Sequence, residues 1–306
     1  MARVLFAKGA SGEIVRRIQR RLTAKGFDPK GVDGRYGDDT SKAVRAFQTS
    51  SQLDPSGEVD VTTWQKLMAN PIPSVRDRAL QVTAAFEGHD FTLAQGNFDG
   101  AGITWGIIGF TLANGELSKI VLEIQSRAPE LVKQAFGAKS QELIGIMRAP
   151  KARQMAFANS ISLGASKAKL AEPWRTGFRK FGELGQVQAL QLEHANRDYF
   201  QPARRTAQTL RLKSELGLAL AFDVHVQNGG IKPEARAEID RHVAHHPMER
   251  EQDLRVAVAH AVADHSAPRF RQDVLSRKLA LATGAGRVHG GSFVLRNWGL
   301  AELPAA

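Results

Sequence analysis

Cysteine is missing from the 306-residue sequence. Its absence excludes disulfides, thiolate metal sites and cysteine nucleophiles together. It leaves the compartment open, since a large domain is stable without such staples. Long hydrophobic runs are missing too. No stretch approaches the roughly 18 apolar residues a membrane-spanning helix needs. The apolar run at Val4-Leu5-Phe6 is too short for a secretory signal, and Lys8 follows almost at once. There is no His-Glu-x-x-His pair for a zinc peptidase, no Gly-x-x-x-x-Gly-Lys phosphate loop and no Gly-x-Ser-x-Gly elbow. The glycines from Gly286 to Gly291 match no dinucleotide fingerprint and read as a loop.

What is present describes a soluble globular chain. Hydrophobic residues make up 42% and charged residues 24%, which excludes wholesale disorder. The length predicts about two domains. Lysine and arginine outnumber aspartate and glutamate by 42 to 31, a net charge of +11. Such a balance favours a polyanionic partner: nucleic acid, an anionic membrane surface or an anionic polysaccharide. The surplus is concentrated. Residues 148–180 hold Arg148, Lys151, Arg153, Lys167, Lys169, Arg175, Arg179 and Lys180 against Glu172 alone. This window is either a solvated helical face or a track for an anionic polymer. Its apolar residues Met155, Phe157, Ile161 and Leu163 fit a core, or a membrane-active surface.

The chain breaks at Asn70-Pro71-Ile72-Pro73-Ser74, where two prolines remove backbone donors and discourage helix. Before it, three short helices are predicted. Ile14, Val15, Ile18 and Leu22 line one face behind a Ser11 N-cap, with Gly26 as the stop. Ala43, Val44 and Phe47 line the second, capped by Thr40 or Asp39. Asp60 precedes a third with Trp64 and Leu67. After the break, Arg76 to Phe86 reads as a helix running into Glu87. The segment from Asn97 to Phe110 is rich in glycine and reads as a hairpin or irregular β excursion, with a turn at Asp99-Gly100 and alternating Ile103, Trp105 and Ile107. Helices are then predicted near 115–128, 129–136, 139–147, 150–165, 183–209, 213–227, 235–243, 250–264 and 268–282. His242, His245 and His246 cluster near Asp240, but their spacing, with Pro247 breaking the helix, argues against metal.

Two families resemble parts of this pattern. Val15, Ile18-Gln19, Leu22, Gly26, Asp33-Gly34-Arg35-Tyr36-Gly37, Thr40, Ala43-Val44, Phe47-Gln48, Gly57, Asp60, Thr63-Trp64 and Leu67 resemble the peptidoglycan-binding type 1 domain over residues 8–68. The resemblance implies a cell-wall anchor, with Tyr36 either a wall contact or a core residue. Asp99-Gly100-Ala101-Gly102-Ile103-Thr104-Trp105-Gly106-Ile107-Ile108-Gly109-Phe110 resembles the signature segment of chitosanase family 46. Leu216-Gly217 to Gln227-Asn228-Gly229 resembles one of that family's later helices. This resemblance implies a helical, lysozyme-like fold and two-carboxyl glycoside hydrolysis by inversion. In it Glu87 is the acid, Asp99 the base and Thr104 places the water. Trp105, Gln227 and Asn228 are then expected at the substrate. Glu87 follows Phe86 and precedes Phe91, an apolar setting able to favour its protonated form.

The expected fold class is mainly α. A small three-helix wall-binding domain occupies 1–70, a linker 71–75, and a larger lysozyme-like helical domain with a short β-hairpin 76–306. Two departures count against chitosan as the substrate, the short loop between Glu87 and Asp99 and Ile103 where the family has tyrosine, and a wall anchor on the same chain argues for peptidoglycan instead. The combination resembles a modular phage endolysin. That implies a muramidase, stored without a signal peptide in the host cytoplasm until lysis and acting on the periplasmic wall. The alternatives are a lytic transglycosylase, a chitosanase or a non-catalytic wall-binding protein. Peptidoglycan is the expected partner, with an anionic outer envelope surface as a second. No nucleic acid, metal or cofactor is expected, and the chain is expected to be a monomer.

Overall fold

The apolar periodicity becomes helix along most of the chain in the computed structural model, which describes residues 3–246 and 250–305. Pro247 lies outside the described residues. The architecture is mainly α with small antiparallel sheets. By contacts the chain divides into two units, one built from Met1–Phe86 and Asp198–Ala306, the other from Glu87–Arg197. The expected linker at 71–75 falls inside the first unit. Residues 71–74 are irregular, and Val75 opens the next helix.

The first unit begins with helices Glu13–Ala24, Asp38–Ser50 and Val61–Leu67. They bury the predicted faces, from Ile14 and Leu22 to Phe47 and Trp64. Strand Val4–Phe6 pairs antiparallel with Val59–Asp60, which the helical reading did not anticipate. Asp60 caps the third helix as expected, accepting from Thr63 N at 2.7 Å. The other two caps differ. Gly12 and Gly37 occupy the N-cap positions, not Ser11, Thr40 or Asp39. The amide of Ile14 instead donates to the Gln81 side chain at 3.2 Å. A Cβ on Gly12 would stand 2.3 Å from that same oxygen, so only glycine lets Gln81 approach.

The rest of this unit comprises helices Val75–Glu87, Gln201–Thr209, Glu215–Asn228, Pro233–His245, Glu251–Asp264 and Arg271–Thr283. Glu215–Asn228 is apolar around most of its circumference, with Leu216, Leu220, Phe222 and Val224 buried, as a central helix must be. Asp223 on it is fully buried between Arg277 and Lys278, at 2.6 Å from each. Burial opposes its charge, but the two cations hold the carboxyl well below the usual carboxylate range. The segment expected as a loop at 286–291 is a hairpin, Ala285–Val288 against Gly291–Val294. Beyond it, Trp298 Nε1 donates to Ser11 O at 3.0 Å, and Ala7 N donates to Asn297 O at 3.0 Å.

The second unit holds helices Glu116–Arg127, Pro129–Phe136, Ser140–Arg148, Lys151–Ile161, Trp174–Glu183 and Gly185–Ala195. The helix at Trp174–Glu183 was not predicted. Two glycines weaken its pattern, yet both are required by packing. A Cβ on Gly177 would stand 2.4 Å from the Phe136 ring, and one on Gly182 2.0 Å from Phe91 O. The single helix predicted over 183–209 is interrupted by a π-helical turn at Asn196–Phe200, just before Pro202, which has no amide proton to continue a regular helix. The β excursion is a three-stranded sheet of Ala94–Gln95, Thr104–Trp105 and Phe110–Thr111. Its second turn lies at residues 106–109, so Ile107 is a turn residue and not part of the alternating strand.

Candidate active site

Glu87 is the last residue of helix Val75–Glu87. Gly88 follows with φ 67°, the left-handed conformation that ends a helix. The Glu87 side chain is exposed, whereas Phe86 and Phe91 are buried. The flanking rings expected to shield the acid turn into the core instead. The final carbonyl before Glu87, that of Phe86, accepts from His289 Nδ1 at 2.8 Å. His289 Nε2 faces Asp273 Oδ1. Both partners only accept, so the doubly protonated imidazole satisfies both. The Phe86 bond, with help from Asp273 and against partial burial, raises the His289 pKa.

Asp99 sits at the tip of a loop held from below by Asn97. The Asn97 Oδ1 accepts from Gly102 N at 2.8 Å, and its Nδ2 donates to Asn159 Oδ1 at 2.8 Å. Its backbone amide donates to Ser162 Oγ, also at 2.8 Å. The loop is thus pinned on both sides of Asp99. The Asp99 carboxylate accepts from Ala101 N through Oδ1 at 3.0 Å and is otherwise exposed. One oxygen fixes its orientation while the other faces solvent, the arrangement a general base needs.

Thr104 follows on the central strand, paired with Gln95 and Thr111. It is 7% exposed. Its methyl packs toward Gly109, where an added Cβ would lie 3.2 Å away. The segment's glycines have comparable roles. A Cβ on Gly106 would stand 2.4 Å from Gln191 Oε1, which accepts from Ile107 N at 3.0 Å. Gln191 Nε2 donates to Phe91 O at 3.2 Å. A buried amide therefore ties the turn of the segment to the chain just after Glu87.

Glu87, Asp99, Thr104 and Trp105 belong to one unit, while Tyr36, Gln227 and Asn228 belong to the other. Of the four expected ligand contacts, the structure buries two, Tyr36 and Trp105, and leaves Gln227 and Asn228 half-buried. Tyr36 is 2% exposed, and its hydroxyl donates to Gly57 O at 2.9 Å. Burial pushes its pKa up. Trp105 is fully buried, stacked on Phe181 with centroids 5.4 Å apart, and its Nε1 donates to Phe178 O. Both rings fill cores. Gln227 has its amide spent on Asp273 and Lys278, at 2.7 and 2.6 Å. Asn228 is half-buried, and its Oδ1 has no hydrogen-bond partner among the described residues. The sequence reading assigned no role to Asn97, Gln191 or His289. Asn97 and Gln191 are polar residues beside glycine turns, a recognisable anchor pattern, whereas nothing local connects His289 to residue 86.

Residues 83–253, more than half of the chain, match the model of glycosyl hydrolase family 46. The chain belongs to that family. The signature segment and Glu87 both lie within the matched residues. The fold of this chain is similar to that of the native chitosanase from Bacillus subtilis MY002. That structure aligns at 18% identity over 72% of this chain and 98% of its own, with a TM-score of 0.51. A mutant of the same chitosanase complexed with 6 GlcN aligns over the same shares at a TM-score of 0.50. Ile103, at the family's tyrosine position, is fully buried.

Residues 11–67 match a second family model, "Putative peptidoglycan binding domain". Two Bacillus licheniformis proteins are 40% identical to this chain over short stretches. One is a probable N-acetylmuramoyl-L-alanine amidase, similar over 68 residues, or 22% of this chain. The other is the N-acetylmuramoyl-L-alanine amidase CwlL, similar over 67 residues, or 21% of this chain. The chain spans only 19% of the length of each of these curated relatives.

Proposed function

We propose that this chain is a glycoside hydrolase that cuts the glycan backbone of bacterial peptidoglycan. The observation that carries the reading is the Asp99 carboxylate, oriented through one oxygen and open to solvent through the other, on a pinned loop in a family 46 chain. Glu87 protonates the leaving glycosidic oxygen. Asp99 takes a proton from the attacking water, and the Thr104 hydroxyl places that water. The wall-binding match at residues 11–67 favours peptidoglycan as substrate. It adds local concentration at the wall, not chemistry.

The finer reading is an N-acetylmuramidase of the phage endolysin type, released from the host cytoplasm at lysis. Mass spectrometry of muropeptides released from purified murein tests it. A reducing N-acetylmuramic acid end supports the muramidase. A 1,6-anhydro end identifies a lytic transglycosylase, and the absence of any glycan cleavage sinks the reading. Family membership favours a second reading, chitosan hydrolysis, which glucosamine oligomers released from chitosan would reveal.

A further inference from the structure

A short hairpin, Ser162–Leu163 against Lys169–Leu170, backs the Asp99 loop. Gly96 N donates to Ala168 O at 3.0 Å. A Cβ on Gly96 would stand 2.4 Å from Lys167 O and 3.0 Å from Lys169 O, so loop and hairpin touch backbone to backbone. One oxygen joins them further. Asn159 Oδ1 accepts from Asn97 Nδ2 at 2.8 Å and from Lys167 Nζ at 3.2 Å. The Lys167 ammonium therefore sits two hydrogen-bond lengths from the anchor of the Asp99 loop. Lys167 itself holds φ 53°, a left-handed backbone where glycine or asparagine is the ordinary choice.

The charge around these two lysines is unbalanced. All eight cations between residues 148 and 180 are exposed, and among the described residues only Arg175 is ion-paired, with Glu172. Phe157 and Ile161 are core, so the window is a charged surface over a packed interior. A polymer of glucosamine carries ammonium groups and is repelled by this surface. A glycan carrying stem peptides brings carboxylates and is attracted.

We propose that Lys167 and Lys169 form a subsite for carboxylates borne by the substrate, and that this subsite selects an anionic glycan over a cationic one beside the Asp99 base. The proposal rests on the reading of Glu87 and Asp99 as a glycosidase site and deepens it.

The test uses the full chain and three substrates: soluble murein chains, the same chains with their carboxylates amidated, and chitosan oligomers. The double variant Lys167→Asn, Lys169→Gln keeps a residue suited to the left-handed turn while removing both charges. For the unaltered chain, KM on amidated chains should exceed KM on native chains by roughly threefold to twentyfold, the effect of two exposed charge pairs. In the double variant that ratio should fall toward one, with native thermal unfolding. An equal KM for native and amidated chains in the unaltered protein overturns the subsite. So does a ratio that survives in the folded double variant, or a preference for chitosan oligomers over murein chains. Glu87→Gln run in parallel separates the two levels. Murein cleavage that Glu87→Gln stops, but that ignores amidation, defeats only the subsite. No cleavage of any of the three glycans defeats the glycosidase reading and the subsite with it.

Discussion

The loop at Asp33–Gly37 and the loop at Asn97–Gly102 are held by the same device and put to different ends. In the first, the buried Gln19 donates to Asp33 Oδ1, Arg35 O and Thr40 Oγ1 and accepts from Gly34 N. Gln48 lashes the neighbouring loop in the same way, donating to Glu58 O and accepting from Gly57 N. In the second, Asn97 and Gln191 do the lashing. The first loop closes its one aromatic, Tyr36, into the core with the hydroxyl bonded. The second loop leaves its tip outside: Asp99 is exposed, and Phe98 beside it is 48% exposed. A closed loop specifies a fold. An equally anchored loop that keeps a carboxylate and a ring in water has surface to offer a ligand.

The strongest effects are expected at the two carboxyls, Glu87 at its helix end and Asp99 on the open loop. Glu87→Gln keeps shape but cannot deliver a proton, so turnover on murein should fall by about 10²–10⁴-fold. Asp99→Asn should be comparably severe for a hydrolase and much milder for a transglycosylase, whose nucleophile is the sugar's own hydroxyl. Reducing-end release by each folded variant checks both. Full activity in Glu87→Gln would sink the site.

Removing an anchor should give smaller effects that differ between the regions. Gln191→Leu strands Ile107 N and Phe91 O, at a cost of about 1–3 kcal/mol for each unsatisfied group. It should lower both stability and kcat, because it frees the signature turn. Gln48→Leu should cost a similar stability while leaving kcat on soluble chains unaltered. Urea unfolding and steady-state kinetics on the pair decide this. If both variants lost kcat equally, the contrast between the regions would be gone. Tyr36→Phe is milder still. It removes one buried hydrogen bond, about 1 kcal/mol, and murein pull-down should be unaffected. Loss of binding by the folded variant would return Tyr36 to the ligand.

The smallest effect concerns pH. The folded pKa of His289 is raised by the Phe86 carbonyl and Asp273. Its contribution is full below the unfolded value of about 6.5 and is lost as pH rises through the higher folded value. Urea midpoints followed upward from neutral pH should show a downward slope that His289→Gln flattens. Identical slopes would remove His289 from the account of how the helix end is held.

Much of this was legible in local pattern. The helices of residues 3–70 follow from Ile14, Ile18, Leu22, Val44 and Phe47, because a 3.6-residue period needs no distant information. The segment at Asp99–Phe110 pointed to the site because glycines and a lone carboxylate recur in a recognisable order. What escaped depended on partners far along the chain. Ser11 looks like a helix cap, but Gly12 holds that position and the Ile14 amide is met by Gln81, 67 residues further on. Helix Trp174–Glu183 was hidden because glycine reads as a breaker, whereas Phe136 and Phe91 leave no room for anything else at Gly177 and Gly182. Trp105 resembles a sugar platform in sequence, and only Phe178 and Phe181, far downstream, show it to be core.

The bond from Trp298 to Ser11 spans 287 positions, and that from Asn297 Nδ2 to Lys8 O spans 289. Gly299 makes this approach possible, since a Cβ there would stand 2.9 Å from Leu5 O. A ribosome delivers residues 5–11 long before the partners at 297–299. Until those partners emerge, the strand at Val4–Phe6 must wait with that flank uncovered. Contacts this distant raise contact order and slow the final docking step. Proteolysis of stalled nascent chains should therefore find the N-terminal strand cleavable until residues 295–300 have emerged, and protected soon after.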